Sequence, residues 1–126
     1  MTGTILDKIA AHKQKEVRES KERHPQRALE KRIAGLNATR DFKAALARED
    51  RISLIAEIKQ ASPSAGVIRN DFDAMKIAQI YENEGADAIS VLTDEEFFQG
   101  SLVTLSLINE MFSLPLLRKD FIIDPY

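Results

Sequence analysis

An α/β fold is what this 126-residue sequence predicts, and three observations predict it. The hydrophobic period is helical up to about residue 50 and then switches to short apolar runs alternating with helical stretches. The links in that second part are short, which suits parallel strands joined by right-handed crossovers. The composition, 44% apolar and 30% charged, is that of a globular chain and not of a disordered one. The length suits one domain of ordinary size, and it is about half of a closed eight-stranded α/β barrel, which takes ~250 residues.

Charge and composition exclude several classes of function. Formal net charge is −2, so there is no electrostatic case for a nucleic-acid partner. Without cysteine there are no disulfides and no thiolate chemistry. Both histidines fall in the first quarter, which argues against a histidine-based metal site. No apolar run approaches the ~18 residues of a membrane span, and Asp7 and Lys8 break any signal-peptide core. A cytoplasmic protein with no membrane partner is expected. Charge is also uneven: residues 1–50 carry 12 basic and 8 acidic side chains, residues 51–126 carry 6 and 12. The boundary at Glu49-Asp50-Arg51 coincides with the change of period, giving a helical extension over 1–50 and an α/β part over 51–126.

In the extension, Thr4 with Asp7 three positions on forms a relative of the capping box, and Ile5, Ile9 and Val17 mark one helix face. Pro25 opens a second short helix at its first turn. Thr39 is placed to cap a third, through Phe42 and Leu46. After Arg51, Ile52–Ile58 reads as a strand, Gln60–Arg69 as a loop holding Ser62-Pro63-Ser64 and Gly66, and Asp73 as the cap of a helix that Gly85 stops. Ala88–Leu92 is a second, buried strand. A polar-aromatic loop, Thr93–Gly100, leads to a helix capped by Ser101, and Pro115–Phe121 is a third strand. An open doubly wound sheet and a (βα)-barrel both offer this order. The turn after the first strand has only Gly66 and a rigid Pro63, not a Gly-rich phosphate fingerprint, which favours the barrel.

Residues two apart share a face of a strand. Glu57 and Lys59 therefore point the same way at the end of the first strand, and Leu117, Lys119 and Phe121 share a face on the third. In parallel α/β folds the C-terminal ends of strands host the site. Spacing alone leaves two readings: a charged network serving an anionic substrate, or strand-end charges meeting solvent. Ser62, held extended by Pro63, reads either as a phosphate-facing hydroxyl or as part of a plain turn. Phe97 and Phe98 are adjacent rings in a loop, suited to stacking on a flat substrate or to capping the core. Arg118 and Asp120 face oppositely to Lys119 and read as an internal ion pair.

Three ordered stretches, Leu54–Val67 (LIAEIKQASPSAGV), Gly85–Ser101 (GADAISVLTDEEFFQGS) and Pro115–Tyr126 (PLLRKDFIIDPY), closely resemble indole-3-glycerol phosphate synthase of tryptophan biosynthesis. The opening Ile5-Leu6-Asp7-Lys8-Ile9 is similar to that family's N-terminal extension, so the resemblance covers essentially the whole chain. It implies an α/β fold that is a partial (βα)8 TIM barrel, its first three strands, preceded by an N-terminal helical extension. The implied activity is that of a carbon–carbon lyase. It closes the ring of 1-(2-carboxyphenylamino)-1-deoxyribulose 5-phosphate, with loss of CO2 and water, to give indole-3-glycerol phosphate. No metal or organic cofactor is implied.

By the same resemblance, Lys119 matches the catalytic lysine of the third strand, a general acid toward the substrate's ketone oxygen. Glu57 and Lys59 match the pair on the first strand: Lys59 holds the anionic substrate and donates a proton in dehydration, and Glu57 orients lysine or acts as a base. Ser62 matches a serine of the first active-site loop. Phe98 and Phe121 match apolar residues around the anthranilate ring. The full gene product either stands alone or carries a fused phosphoribosylanthranilate isomerase domain, as some bacterial relatives do.

The chain departs from the family in what it lacks. A further catalytic carboxylate, the family's later Asn, Arg and Ser positions, and its Gly-rich phosphate loops have no counterpart here. The expectation is a fragment that is inactive by itself. A non-catalytic half-barrel that associates through its open edge is the alternative. Another phosphosugar barrel enzyme, such as a phosphoribosyl isomerase, is disfavoured by the combination of Glu57, Lys59 and Lys119.

Overall fold

In a computed structural model, which describes residues 3–126, the sheet is built by the three runs expected to be strands. Element order is α1 (Ile5–Arg23), α2 (Gln26–Ile33), α3 (Phe42–Leu46), β1 (Ile55–Ile58), β2 (Ala61–Ser62), β3 (Gly66–Val67), α4 (Ala74–Asn83), β4 (Ala88–Leu92), α5 (Leu102–Met111) and β5 (Leu116–Lys119). Two compact units emerge. One reaches to Thr39 and includes Phe121–Tyr126, and the other is Arg40–Asp120.

In the first unit the capping box forms as expected. The Thr4 hydroxyl accepts from the Asp7 N–H at 3.2 Å, and the Asp7 carboxylate accepts from the Thr4 N–H at 2.8 Å. Of the expected apolar face only Ile9 is buried, together with Lys13, while Ile5 is about half exposed. Pro25 is the N-cap of α2 and not its first residue, one position from the expected register. The C-terminal residues bond to α1: Lys21 pairs with Asp124 at 2.9 Å, and the Tyr126 hydroxyl lies 2.7 Å from the His24 carbonyl oxygen.

In the second unit β4 is the central strand, flanked in parallel by β1 and β5, with α4 and α5 as the crossovers that connect them. Ile58, Ile89 and Val91 pack with Ala78, Ile108 and Phe112, and Leu116, Leu105 and Tyr81 pack around that cluster. This is the helix-facing side of the sheet. The opposite side carries Glu57, Ser90 and Leu117 in one row of register partners, with Leu92 opposite Lys119 in the next. Strand polarity thus separates a packed face from a face with the charged residues.

The helices start and stop for local reasons. Asp73 accepts from Met75 and Lys76 N–H groups at 3.1 Å, and Ser101 accepts from Val103 at 3.0 Å. Gly85, at φ 86°, takes the left-handed conformation that ends α4 cheaply only for glycine. Asp41, not Thr39, caps α3, its carboxylate accepting from Ala44 N–H at 2.8 Å. The first strand begins at Ile55, and Ile52 is almost fully exposed. The expected loop over Gln60–Arg69 contains a two-residue hairpin, β2 against β3, whose return at Gly66 uses a φ of 65°.

At the start of the sheet, Asp87 joins two strands. Its carboxylate accepts from Leu54 N–H at 2.8 Å and from Arg51 at 2.5 Å, with Arg48 at 3.6 Å. The Leu54 hydrogen bond, opposed by burial and helped by Arg51 and Arg48, holds this carboxyl below its usual range.

Candidate active site

At the other end of the strands, β1 and β5 deliver a carboxylate and two ammonium groups to one place. Glu57 lies on β1 with its side chain away from the helices, and Lys119 closes β5. Lys119 Nζ is 2.8 Å from Glu57 Oε2, and Lys59 Nζ is 3.7 Å from Glu57 Oε1. The sheet therefore joins all three charged residues singled out by strand alternation. The Glu57 side chain is mostly buried and that of Lys119 is half exposed.

Two further contacts fix Glu57. Ser90, directly opposite it in the β1–β4 register and buried, donates from Oγ to Glu57 Oε2 at 3.2 Å. The Tyr81 hydroxyl, from α4, donates to the Glu57 carbonyl oxygen at 2.8 Å. Sequence reasoning passed over Ser90 inside the apolar run AISVL. The signal was available: Ser90 is the one hydroxyl in that run, on the alternate face from Ile89 and Val91. Burial pushes the Glu57 carboxyl up. The hydrogen bond and charge of Lys119, the Ser90 hydroxyl and the charge of Lys59 outweigh it and hold the group below the usual glutamate value of 4.5. The site thus favours the carboxylate form of Glu57 between two lysines, an arrangement suited to holding anions and to protonating or stabilising a developing oxyanion.

The remaining expected residues are placed differently. Ser62 sits in the β2–β3 hairpin, where its hydroxyl oxygen accepts from Ala65 N–H at 3.1 Å and lies 3.5 Å from Ser64 Oγ. Phe98 is half-buried in the loop after β4. Its N–H and that of Phe97 both donate to Asp94 Oδ1, at 3.1 and 2.7 Å, so a fully buried carboxylate sets that loop's course. Gly100 closes the loop with its N–H on the Asp94 carbonyl oxygen at 2.7 Å. Phe121 belongs to the other unit and is half-buried there. Arg118 and Asp120 form the expected ion pair at 3.4 Å, and the Thr93 hydroxyl donates to Asp120 at 2.7 Å.

An open groove of about 580 Å³ lies within the first unit, beside Gln14, Arg18, Lys21 and Ile123, and contains none of the Glu57 cluster. Within it Lys21 and Asp124 pair at 2.9 Å and offset each other's charge. Among the described residues no group of three or more His, Asp or Glu side chains is placed to hold a metal ion.

The family model for indole-3-glycerol phosphate synthase matches residues 6–126. Among curated proteins, the indole-3-glycerol phosphate synthase of Chloroherpeton thalassium is 51% identical over 124 residues, covering 96% of this chain and 48% of that protein. Those of Rhodopirellula baltica and Alkaliphilus metalliredigens are 50% and 49% identical, covering 98% and 97% of this chain and 48% and 47% of their own lengths. The chain spans about half the length of the curated relatives it matches. With a family model matched from residue 6 to the last residue, the chain belongs to the indole-3-glycerol phosphate synthase family.

Proposed function

We propose that the full-length gene product carrying this chain is a carbon–carbon lyase. It converts 1-(2-carboxyphenylamino)-1-deoxyribulose 5-phosphate to indole-3-glycerol phosphate in the cytoplasm as a step of tryptophan biosynthesis. The observation that carries the reading is the cluster of Glu57 with Lys119 and Lys59 at the ends of parallel strands. On this reading residues 1–50 are a helical extension. Residues 51–126 are the first three strands and two crossover helices of a (βα)8 barrel.

The chemistry suits these groups. Ring closure places negative charge on the ketone oxygen, and the Lys119 ammonium is the general acid that meets it. Lys59 holds the anionic substrate and supplies a proton during loss of water. Glu57 keeps both ammonium groups in position and serves as a base once one of them has given up its proton. Ser62 binds from the loop after β1, and Phe98 and Phe121 supply the apolar wall for the anthranilate ring. No cofactor enters this scheme.

The family's later carboxylate and its phosphate-gripping loops have no counterpart in these 126 residues. The chain by itself is therefore expected to form no product. The test is to assay both the full-length product and the 126-residue chain, purified from a host lacking the host's own synthase, for formation of indole-3-glycerol phosphate. Turnover by the full-length product alone is the expected result. No turnover by the full-length product refutes the activity, and turnover by the short chain refutes its predicted inactivity.

A second reading, a non-catalytic half-barrel that works by association, is favoured by one observation. β5 is an outer strand of the sheet, with Leu117 43% exposed on it. Size-exclusion chromatography against concentration separates the two: a defined oligomer supports it, and a concentration-independent monomer opposes it.

A further inference from the structure

Ser90 is a hydroxyl in the middle of the central strand, 3% exposed, with Ile89 and Val91 on either side of it packed into the core. A buried hydroxyl needs a partner, and its partner is a carboxylate: Ser90 Oγ lies 3.2 Å from Glu57 Oε2. The same oxygen accepts from Lys119 Nζ at 2.8 Å. Glu57 Oε1 has, among the described residues, only the longer contact with Lys59 at 3.7 Å. The carboxylate is thus held asymmetrically, one oxygen by two donors.

We propose that Ser90 is a positioning residue for the reaction, fixing the Glu57 carboxylate so that Oε2 in turn fixes the Lys119 ammonium. The inference rests on the reading given under Proposed function. Glutamate and lysine side chains carry several freely rotating bonds, and a half-exposed ammonium on a four-carbon stem has no place of its own. Each link of this chain of contacts removes some of that freedom. β4 is the central strand, paired on both sides, and so is the most rigid support the sheet offers. Tyr81 secures the main chain of Glu57 by its carbonyl oxygen while Ser90 secures the other end, so both ends of the residue are held. Lys119 then meets a carboxylate already in place.

The test uses the full-length protein with Ser90→Ala, Ser90→Thr, and Glu57→Gln to assign the Glu57 carboxyl resonance. Two quantities are read: steady-state kinetics, and titration of that carboxyl by ¹³C NMR. Ser90→Ala is expected to lower kcat about tenfold with KM within about threefold of the parent, the pattern of a lost positioning contact. It is also expected to move the Glu57 titration upward, because a hydrogen bond that favours the charged form is gone. Ser90→Thr, which keeps the hydroxyl on a strand-compatible side chain, is expected to restore both.

An unmoved Glu57 titration in Ser90→Ala, or an unchanged kcat, overturns the proposal. So does equal loss in the alanine and threonine variants, which marks a packing role. The titration needs no turnover, so the two readings fail separately. A moved titration in a protein without synthase activity refutes the proposed function alone. An unmoved titration in an active enzyme refutes the role of Ser90 alone.

Discussion

Lys119 Nζ lies 2.8 Å from Glu57 Oε2, although the two residues stand on the two outer strands of a three-stranded sheet and 62 positions apart in sequence. The central strand does not separate them, because both side chains leave the sheet on the face away from the helices. The contact has the length of a charge-assisted hydrogen bond between ammonium and carboxylate. It makes Glu57 the hub of the site, with Lys59 on its other oxygen.

Replacing Lys119 is expected to remove turnover and leave the fold. In the full-length protein, Lys119→Ala should lower kcat/KM by about 10²–10⁴, the usual contribution of a positioned general acid. Far-UV circular dichroism should be unchanged, since the side chain is half exposed. The Glu57 carboxyl should titrate higher in this variant, because Lys119 is the main influence lowering it. Near-parental turnover would remove Lys119 from the reaction.

Gly100 has no room for a side chain. A Cβ there would collide with the carbonyl oxygen of Leu92, which is backbone and cannot turn away. Gly100→Ala is therefore expected to destabilise the protein by about 1–3 kcal/mol through forced backbone movement. On the proposed function it should also raise KM in the full-length protein, because the displaced loop carries Phe98, which that reading assigns to the substrate's ring. An unchanged urea midpoint would show that the loop moves at no cost.

Asp87 is expected to govern part of the acid sensitivity. Its folded-state value is depressed below the ordinary 3.8, chiefly by the Leu54 N–H. A depressed carboxylate stabilises the fold above its unfolded value and loses that contribution as pH falls through the folded value. Asp87→Asn keeps a hydrogen-bond acceptor for Leu54 but not the charge that faces Arg51 and Arg48. The urea midpoint of Asp87→Asn should be lower than the parent's at neutral pH, and the two should converge in acid. Parallel pH curves would show that Asp87 contributes nothing through its charge.

Much of the site was legible in the sequence because strand alternation is a strong constraint. Glu57 and Lys59 must share a face, Lys119 shares one with Leu117 near the end of the third strand, and parallel topology brings strand ends together. Caps with a single strong candidate, such as Asp73 and Ser101, were equally legible. Where two good cap residues stood close, as Thr39 and Asp41 do, local propensity had no means of choosing, and it is the Asp41 carboxylate that accepts from the first turn of α3. The β2–β3 hairpin is two residues per strand, too short for any period to show. Ser90 was hidden for a different reason. An apolar run signals burial, and the exception inside it acquires meaning only when its cross-strand partner is known to be a glutamate.

Two ionic clusters lie at opposite ends of the three-stranded sheet. Asp87, with Arg51 and Leu54, closes the end where β1 and β4 begin, and Glu57 with its lysines occupies the end where β1 and β5 finish. What ties the beginnings of the strands together and what the proposed function assigns to a substrate are therefore written in different residues. A change of charge at the finishing end can alter chemistry while the knot at the starting end still holds the ladder. Such an arrangement lets new reactions be tried on an old frame without first having to rebuild it.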